Sequence, residues 1–200
     1  MALFSVAYWP PVSYYRLAAK APIVSIEQYE FYQKQSYRNR CIILSANGPI
    51  SLIVPILRPH HSIIKDIRID YSKPWQQMHW RSIESAYRSS AFFEEFGGEI
   101  REVYKREVTF LFDWNLKLWA LSLSLLDLRI SWAVTELFIP ISKMAEDYRF
   151  LIHPKEKRKP EGLAFEPYYQ VFAHKFGFFP DLSILDLIFN EGALKPESHT

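Results

Sequence analysis

One cysteine and six glycines among 200 residues are shortages that each remove a class of answer. Cys41 stands alone, so no intramolecular disulfide and no cysteine-rich zinc site can form within the chain. Neither GxGxxG nor GxxxxGK(S/T) occurs, which excludes the familiar dinucleotide and P-loop fingerprints. HExxH and the nucleophile elbow are also missing, and no catalytic triad is signalled. Long apolar runs are absent. The greasiest stretch, residues 118–126, is closed by Asp127 and is far shorter than the roughly twenty residues of a membrane-crossing helix. Charge of one sign is absent too: 24 Lys and Arg face 22 Asp and Glu, a formal +2. Residues 1–110 carry 14 basic and 10 acidic side chains, and residues 111–200 carry 10 and 12. That balance falls short of a nucleic-acid footprint, but its mild asymmetry suits a small anionic ligand.

What is present is core material. The chain is 49% hydrophobic and 16% aromatic, which argues for a packed interior and against disorder. No basic n-region follows Met1, and Pro10-Pro11 interrupts the first apolar segment. The expectation is therefore a cytoplasmic protein without a secretory signal.

The hydrophobic pattern predicts an α/β fold. Residues 2–8 suit a buried strand, residues 12–20 a helix, and residues 23–26 a second strand, giving a β-α-β start with a parallel pair. Residues 40–44 and 50–54 flank Asn47-Gly48, a hairpin signal. Ile63, Ile67 and Ile69 alternate along 63–70 and predict a half-buried strand. Helices are predicted over 75–88, 91–108 and 110–126, the last apolar on nearly every side, and residues 129–134 suit a short strand. Residues 153–166 read as loop. Ser183 and Asp186 have the spacing of a capping box opening a terminal helix that Gly192 closes. The architecture expected is an N-terminal mixed sheet, the β-α-β start plus the hairpin, with a mainly helical C-terminal half packed on it. These form one domain: an α/β part at 1–72, a helical part at 73–192 and a tail at 193–200.

Several constellations carry chemistry. Lys34, Arg38, Asn39 and Arg40 gather two guanidiniums, an ammonium and an amide before a strand. If that strand is extended through Arg38, both guanidiniums share a face and reach one carboxylate or phosphate. The plain alternative is that the arginines pair with acids such as Glu27 or Glu30. Tyr8 and Tyr14 flank a proline turn between strand and helix, where open α/β sheets bind ligands, or else they are core aromatics. His79, followed by Trp80 and Arg81, is the candidate neutral base, although its apolar helix face equally suits a core histidine. Adjacent His60 and His61 point apart and make a poor metal pair, so no metal is assigned, nor any cofactor. The run from Lys155 to Lys159 reads as a solvated loop.

Taken together, Tyr8 to Pro11 with Tyr14 and Tyr15, Tyr37 to Arg40, Asn47-Gly48, Val54-Pro55, Trp75 and His79 to Ile83 resemble the WbqC-like family of bacterial proteins. Ala86-Tyr87, Phe92-Phe93 and residues 182–190 continue the likeness, which spans roughly residues 5–192. Ser5-Val6 stand where members often carry Gln-Pro or His-Pro, and Glu27, Gln28, Tyr29 and Glu30 are the nearest counterparts of an acidic pair after the second strand. The resemblance implies a transferase moving glycine or a related aminoacyl group to a sugar in O-antigen (lipopolysaccharide) or other surface-polysaccharide synthesis. In that reading Arg38 and Arg40 hold a nucleotide-linked or carboxylate donor, and Tyr8 and Tyr14 enclose it. The two departures keep a binding-only or assembly module open. The strand–proline turn–helix start also compares with nucleotidylyl transferases, whose histidine pair has no counterpart in residues 1–20.

Overall fold

Strand β1 (Ala2–Ser5) is buried along its whole length, as is β2 (Val24–Glu27), and the two pair in parallel with Ala2 opposite Val24. Burial on both faces is what an unbroken apolar strand in a parallel sheet demands. Helix α1 (Val12–Lys20) makes the crossover, and the predicted β-α-β unit is present. Strand β5 (Trp132–Val134) adds to β2, also in parallel. On the far edge of β1, Leu3 donates its N–H to Glu146 (2.9 Å) and accepts from the Tyr148 N–H (2.8 Å), so residues 146–148 run beside it. The computed structural model describes residues 1–57, 62–140, 146–150, 153–154 and 167–194. His60, His61, the Lys155–Lys159 run and most of the predicted 153–166 loop lie outside them.

Strands β3 (Arg40–Ser45) and β4 (Gly48–Ile53) form the expected antiparallel hairpin as a separate two-stranded sheet, turning through Ala46 and Asn47. Gly48 sits at φ 105°, a conformation from which side chains on Cβ are largely barred. The helices follow as predicted, with shorter ends: α2 (Trp75–Tyr87), α3 (Phe93–Val103) and α4 (Leu111–Leu125). Helix α4 is less uniformly buried than its composition implies, because Asp113, Lys117, Ala120 and Ser124 lie exposed at helical spacing. Short α5 (Ala173–Phe176) and buried α6 (Ile184–Glu191) are the last elements among the described residues.

The 63–70 strand is a correction. Ile67 and Ile69 are buried as their alternation requires, but residues Ile64–Asp66 form a 3-10 turn. The backbone N–H groups of Asp66 and Ile67 are satisfied locally by Ile63 and Ile64, and among the described residues the bridges to other segments are isolated ones at Ile63, Arg68 and Ile69. The capping box is also only half made. Ser183 Oγ accepts a long 3.4 Å bond from the Leu185 N–H, while the Asp186 carboxylate accepts from Tyr168 Oη (2.7 Å) and Gln170 Nε2 (2.8 Å) instead of the cap amide.

One apolar cluster runs from Ala2 to Phe189 and includes Phe4, Tyr8, Trp9, Tyr15, Tyr87 and Trp114. Each fully buried large side chain contributes about 1.5–3 kcal/mol of transfer free energy. The start of α6 is laced to the Pro10-Pro11 turn: the Val12 N–H donates to Leu182 (3.0 Å), the Ile184 N–H to Pro10 (2.9 Å), and Ser183 Oγ to the Trp9 carbonyl (2.9 Å). These bonds hold Trp9 at φ 40°, a conformation strained for a bulky residue.

Candidate functional site

The carboxyl ends of the parallel strands gather charge. Ser5 ends β1, Glu27 ends β2, and Arg149 lies just past the 146–148 segment on the other side of β1. The chain leaves β1 toward β2 on one edge and returns to it on the opposite edge. Such a reversal is where parallel sheets open a ligand crevice.

Arg38 forks onto Glu30, with Nε 2.9 Å from one carboxylate oxygen and Nη2 2.5 Å from the other. Nη2 also donates to Ser5 Oγ at 2.7 Å, and that hydroxyl lies 3.2 Å from Glu30 and 3.3 Å from the Arg149 carbonyl. Arg149 in turn grips Asp147, with Nη2 2.6 Å from Oδ2, and its Nη1 lies 3.5 Å from Glu27. Glu27 further accepts from the Tyr29 N–H (2.8 Å), Thr135 Oγ1 (2.9 Å) and the Ile139 N–H (2.9 Å), tying the end of β2 to the exit of β5. Glu27, Glu30, Arg38 and Arg149 are each under 5% exposed. Burying charges is costly unless each is paired and hydrogen-bonded, so such a network needs all its members at once. A narrow crevice of ≈ 10 Å³, about the room for one water, lies against Ser5, Tyr14, Tyr37, Arg38, Tyr148 and Arg149. The Arg38 Nη1 makes a single long contact with Gln33, at 3.5 Å, among the described residues. That nitrogen is the part of the guanidinium with donor capacity to spare.

Tyr8 is placed elsewhere. Its hydroxyl lies 2.8 Å from His79 Nδ1 and 2.6 Å from the Tyr104 hydroxyl, and Trp9 Nε1 donates to Tyr104 at 2.9 Å. Trp9 donates into this chain at Tyr104, and the donor in the Tyr104–Tyr8 and Tyr8–His79 contacts follows from which imidazole nitrogen carries the proton. Burial lowers the His79 pKa to about 4, so the ring is neutral at pH 7. Burial likewise pushes Tyr8 and Tyr104 well above the usual phenol range. Cys41, buried in β3, is a strongly disfavoured thiolate for the same reason.

A third place is open. Gln76, Gln77, Trp80 and Arg81 of α2 face Arg101, Tyr104 and Lys105 across a cleft of ≈ 340 Å³. Trp80 stacks on Phe93 with ring centroids 6.0 Å apart, and Lys105 pairs with exposed Glu102.

The predicted residues therefore divide. Arg38 lies in a turn before β3 and not on an extended strand, so it does not share a strand face with Arg40. Arg40 is half-buried with an Nε lacking a hydrogen-bond partner among the described residues, and both guanidiniums act on the Tyr32 phenol. Lys34 is exposed. Asn39 clips to Val54: its Nδ2 donates to the Val54 carbonyl (2.9 Å) while its main-chain carbonyl accepts from the Val54 N–H (2.8 Å). Tyr14 joins Arg38, donating to the Ser5 carbonyl at 2.9 Å. Tyr8 and His79 lie behind Tyr104, and Arg81 lines the α2–α3 cleft. Sequence reasoning missed Ser5, Asp147 and Arg149 as members of the charge network. It also missed Asn115, whose Nδ2 holds the Arg38 carbonyl at 2.7 Å from within α4. Glu30 was visible as a pairing acid, and the spacing Glu27-x-x-Glu30 after a strand was the available signal.

The model of the WbqC-like protein family matches residues 6–158. An uncharacterized protein of Mycobacterium tuberculosis (strain ATCC 25618 / H37Rv), Rv1507c, is 26% identical over 225 residues, covering 98% of this chain and 96% of its own length. No solved structure matches the chain.

Proposed function

The chain belongs to the WbqC-like protein family, and from that premise we propose that it is a transferase of cell-surface glycan synthesis whose anionic donor is held at the strand carboxyl ends. The observation carrying this reading is the buried Ser5–Glu30–Arg38–Arg149 network beside a crevice at the point where the sheet reverses. Glu30 fixes the Arg38 fork in place, and Arg38 Nη1 is the donor toward a single carboxylate or phosphate oxygen, the most that a crevice of ≈ 10 Å³ admits. Tyr14 and Tyr37 wall the crevice. In aminoacyl transfer to a sugar, an acceptor nitrogen or oxygen bonds to the donor carbonyl carbon. The leaving group departs with its bonding electron pair, and the acceptor loses a proton. In this reading that proton leaves through solvent, because Tyr8, Tyr104 and His79 line none of the crevice.

The test is a thermal-shift screen of nucleotide-sugars, aminoacyl donors and amino sugars. It compares the wild type with a paired Arg38→Met, Glu30→Gln variant that removes both charges together. Stabilisation of the wild type alone, followed by turnover of the same compound, is the expected result. Equal stabilisation of both proteins removes the site.

A second reading, a non-catalytic module that binds an anionic metabolite, is favoured by His79. The ring is buried with Nδ1 on the Tyr8 hydroxyl, and a pKa of about 4 makes it a weak base. Affinity lost in the paired variant, with no product from any acceptor, supports the module and rejects the transferase.

A further inference from the structure

We propose that the cleft between α2 and α3 is a separate ligand site that takes a phosphorylated monosaccharide. It shares no lining residue with the strand-end crevice, so it stands on its own observations. Arg81, Arg101 and Lys105 bring three cations to one cavity, and its lining contains no carboxylate. A concave surface walled by one sign of charge concentrates field and raises the local level of the opposite ion. Lys105 is partly answered by Glu102, an exposed pair of small energetic weight, and the two guanidiniums supply fork geometry for phosphate oxygens.

Charge alone describes any surface patch; the rest of the lining narrows the ligand. Trp80 offers an indole edge or face against which the C–H side of a sugar ring packs, and Gln77 offers both a donor and an acceptor for hydroxyls. The ≈ 340 Å³ volume lies at the lower end of the range for small-molecule sites, which suits one sugar ring with its phosphate and not a dinucleotide. The floor is rigid before any ligand arrives. Tyr104 is held by Tyr8 at 2.6 Å and by Trp9 at 2.9 Å, and Trp80 is braced on Phe93. A wall that needs no ordering on binding loses less entropy when it is occupied.

The experiment is calorimetric titration of the full chain with glucose 6-phosphate, glucose, inorganic phosphate and uridine monophosphate, each to about 10 mM. Glucose 6-phosphate is expected to bind at millimolar Kd or tighter, with glucose and phosphate each weaker by about tenfold or more. An Arg81→Ala, Arg101→Ala variant is expected to lose about tenfold in that affinity at unchanged melting temperature, since both side chains are exposed. Phosphate binding as tightly as the sugar phosphate overturns the sugar assignment, and tighter binding of uridine monophosphate replaces it with a nucleotide. Unchanged affinity in the double variant, or no binding by any probe, overturns the site. Loss of binding in the Arg38→Met, Glu30→Gln protein but not in the Arg81, Arg101 variant moves the sugar phosphate to the strand ends and ends the proposal.

Discussion

Arg38 and Glu30 meet as a two-pronged pair, at 2.9 and 2.5 Å, with both side chains at or below 5% exposure. Removing one partner strands the other's charge in the interior. Arg38→Met alone is expected to destabilise the protein by about 3–5 kcal/mol, while Arg38→Met with Glu30→Gln restores most of that loss. Urea unfolding midpoints of the three proteins decide it. A double variant no more stable than the single one would mean that the pair is not energetically coupled.

Two buried titrations oppose each other. Desolvation raises Asp186 from 3.8 to about 6, so its folded form holds a proton that the unfolded chain releases, and stability falls as pH climbs through that window. His79 is lowered from 6.5 to about 4, so the unfolded chain binds the proton first, and stability falls as pH drops from 6.5 to 4. Each effect amounts to about 3 kcal/mol, and the two largely cancel between pH 4 and 6. Relative to wild type, Asp186→Asn is expected to make stability rise more steeply with pH over that interval, and His79→Gln to make it fall. Melting temperatures collected across the interval test both signs; parallel curves for all three proteins would refute the assignment.

The direction of the Tyr8–His79 hydrogen bond is also testable. A neutral imidazole with its proton on Nε2 accepts from Tyr8 at Nδ1, and Tyr104 then donates to Tyr8 while accepting from Trp9. Nitrogen-15 spectra at neutral pH are expected to show that tautomer. Tyr8→Phe is expected to cost about 1–3 kcal/mol, because it leaves buried Nδ1 without a donor. A proton found on Nδ1 would reverse the chain.

Gly192 ends α6 at φ 68°, and a Cβ there would sit 2.7 Å from the Phe92 ring. Gly192→Ala is expected to cost about 1–3 kcal/mol from left-handed strain and from displacing Phe92. Differential calorimetry showing an unchanged melting temperature would contradict that packing.

How much of this was legible in the chain depends on how local each signal is. The β-α-β start, the hairpin and α2 to α4 were readable because period and turn chemistry are written over a few neighbouring residues. The 63–70 segment misled because Ile67 and Ile69 alternate correctly, yet among the described residues its neighbours make isolated bridges and not a ladder. Asp186 has the spacing of a capping residue, but burial brought it Tyr168 and Gln170 as partners from outside the helix. The same limit governs the site. Arg38 and Glu30 stand eight positions apart and suggested each other, whereas Arg149 reaches Glu27 from 122 residues away and left no pattern to read. The single cleft imagined for Tyr8, Arg38 and Arg40 came apart because the Tyr8 ring turns to His79 of α2 while Arg38 turns to Glu30 and Ser5.

The lacing of residues 182–184 onto Trp9, Pro10 and Val12 has a consequence for the order of folding. The partners that hold the bend of the first β-α-β unit stand 174 residues away from Trp9 along the sequence. Closing so long a loop is slow compared with forming local contacts, so Trp9 reaches its strained conformation only once α6 has docked.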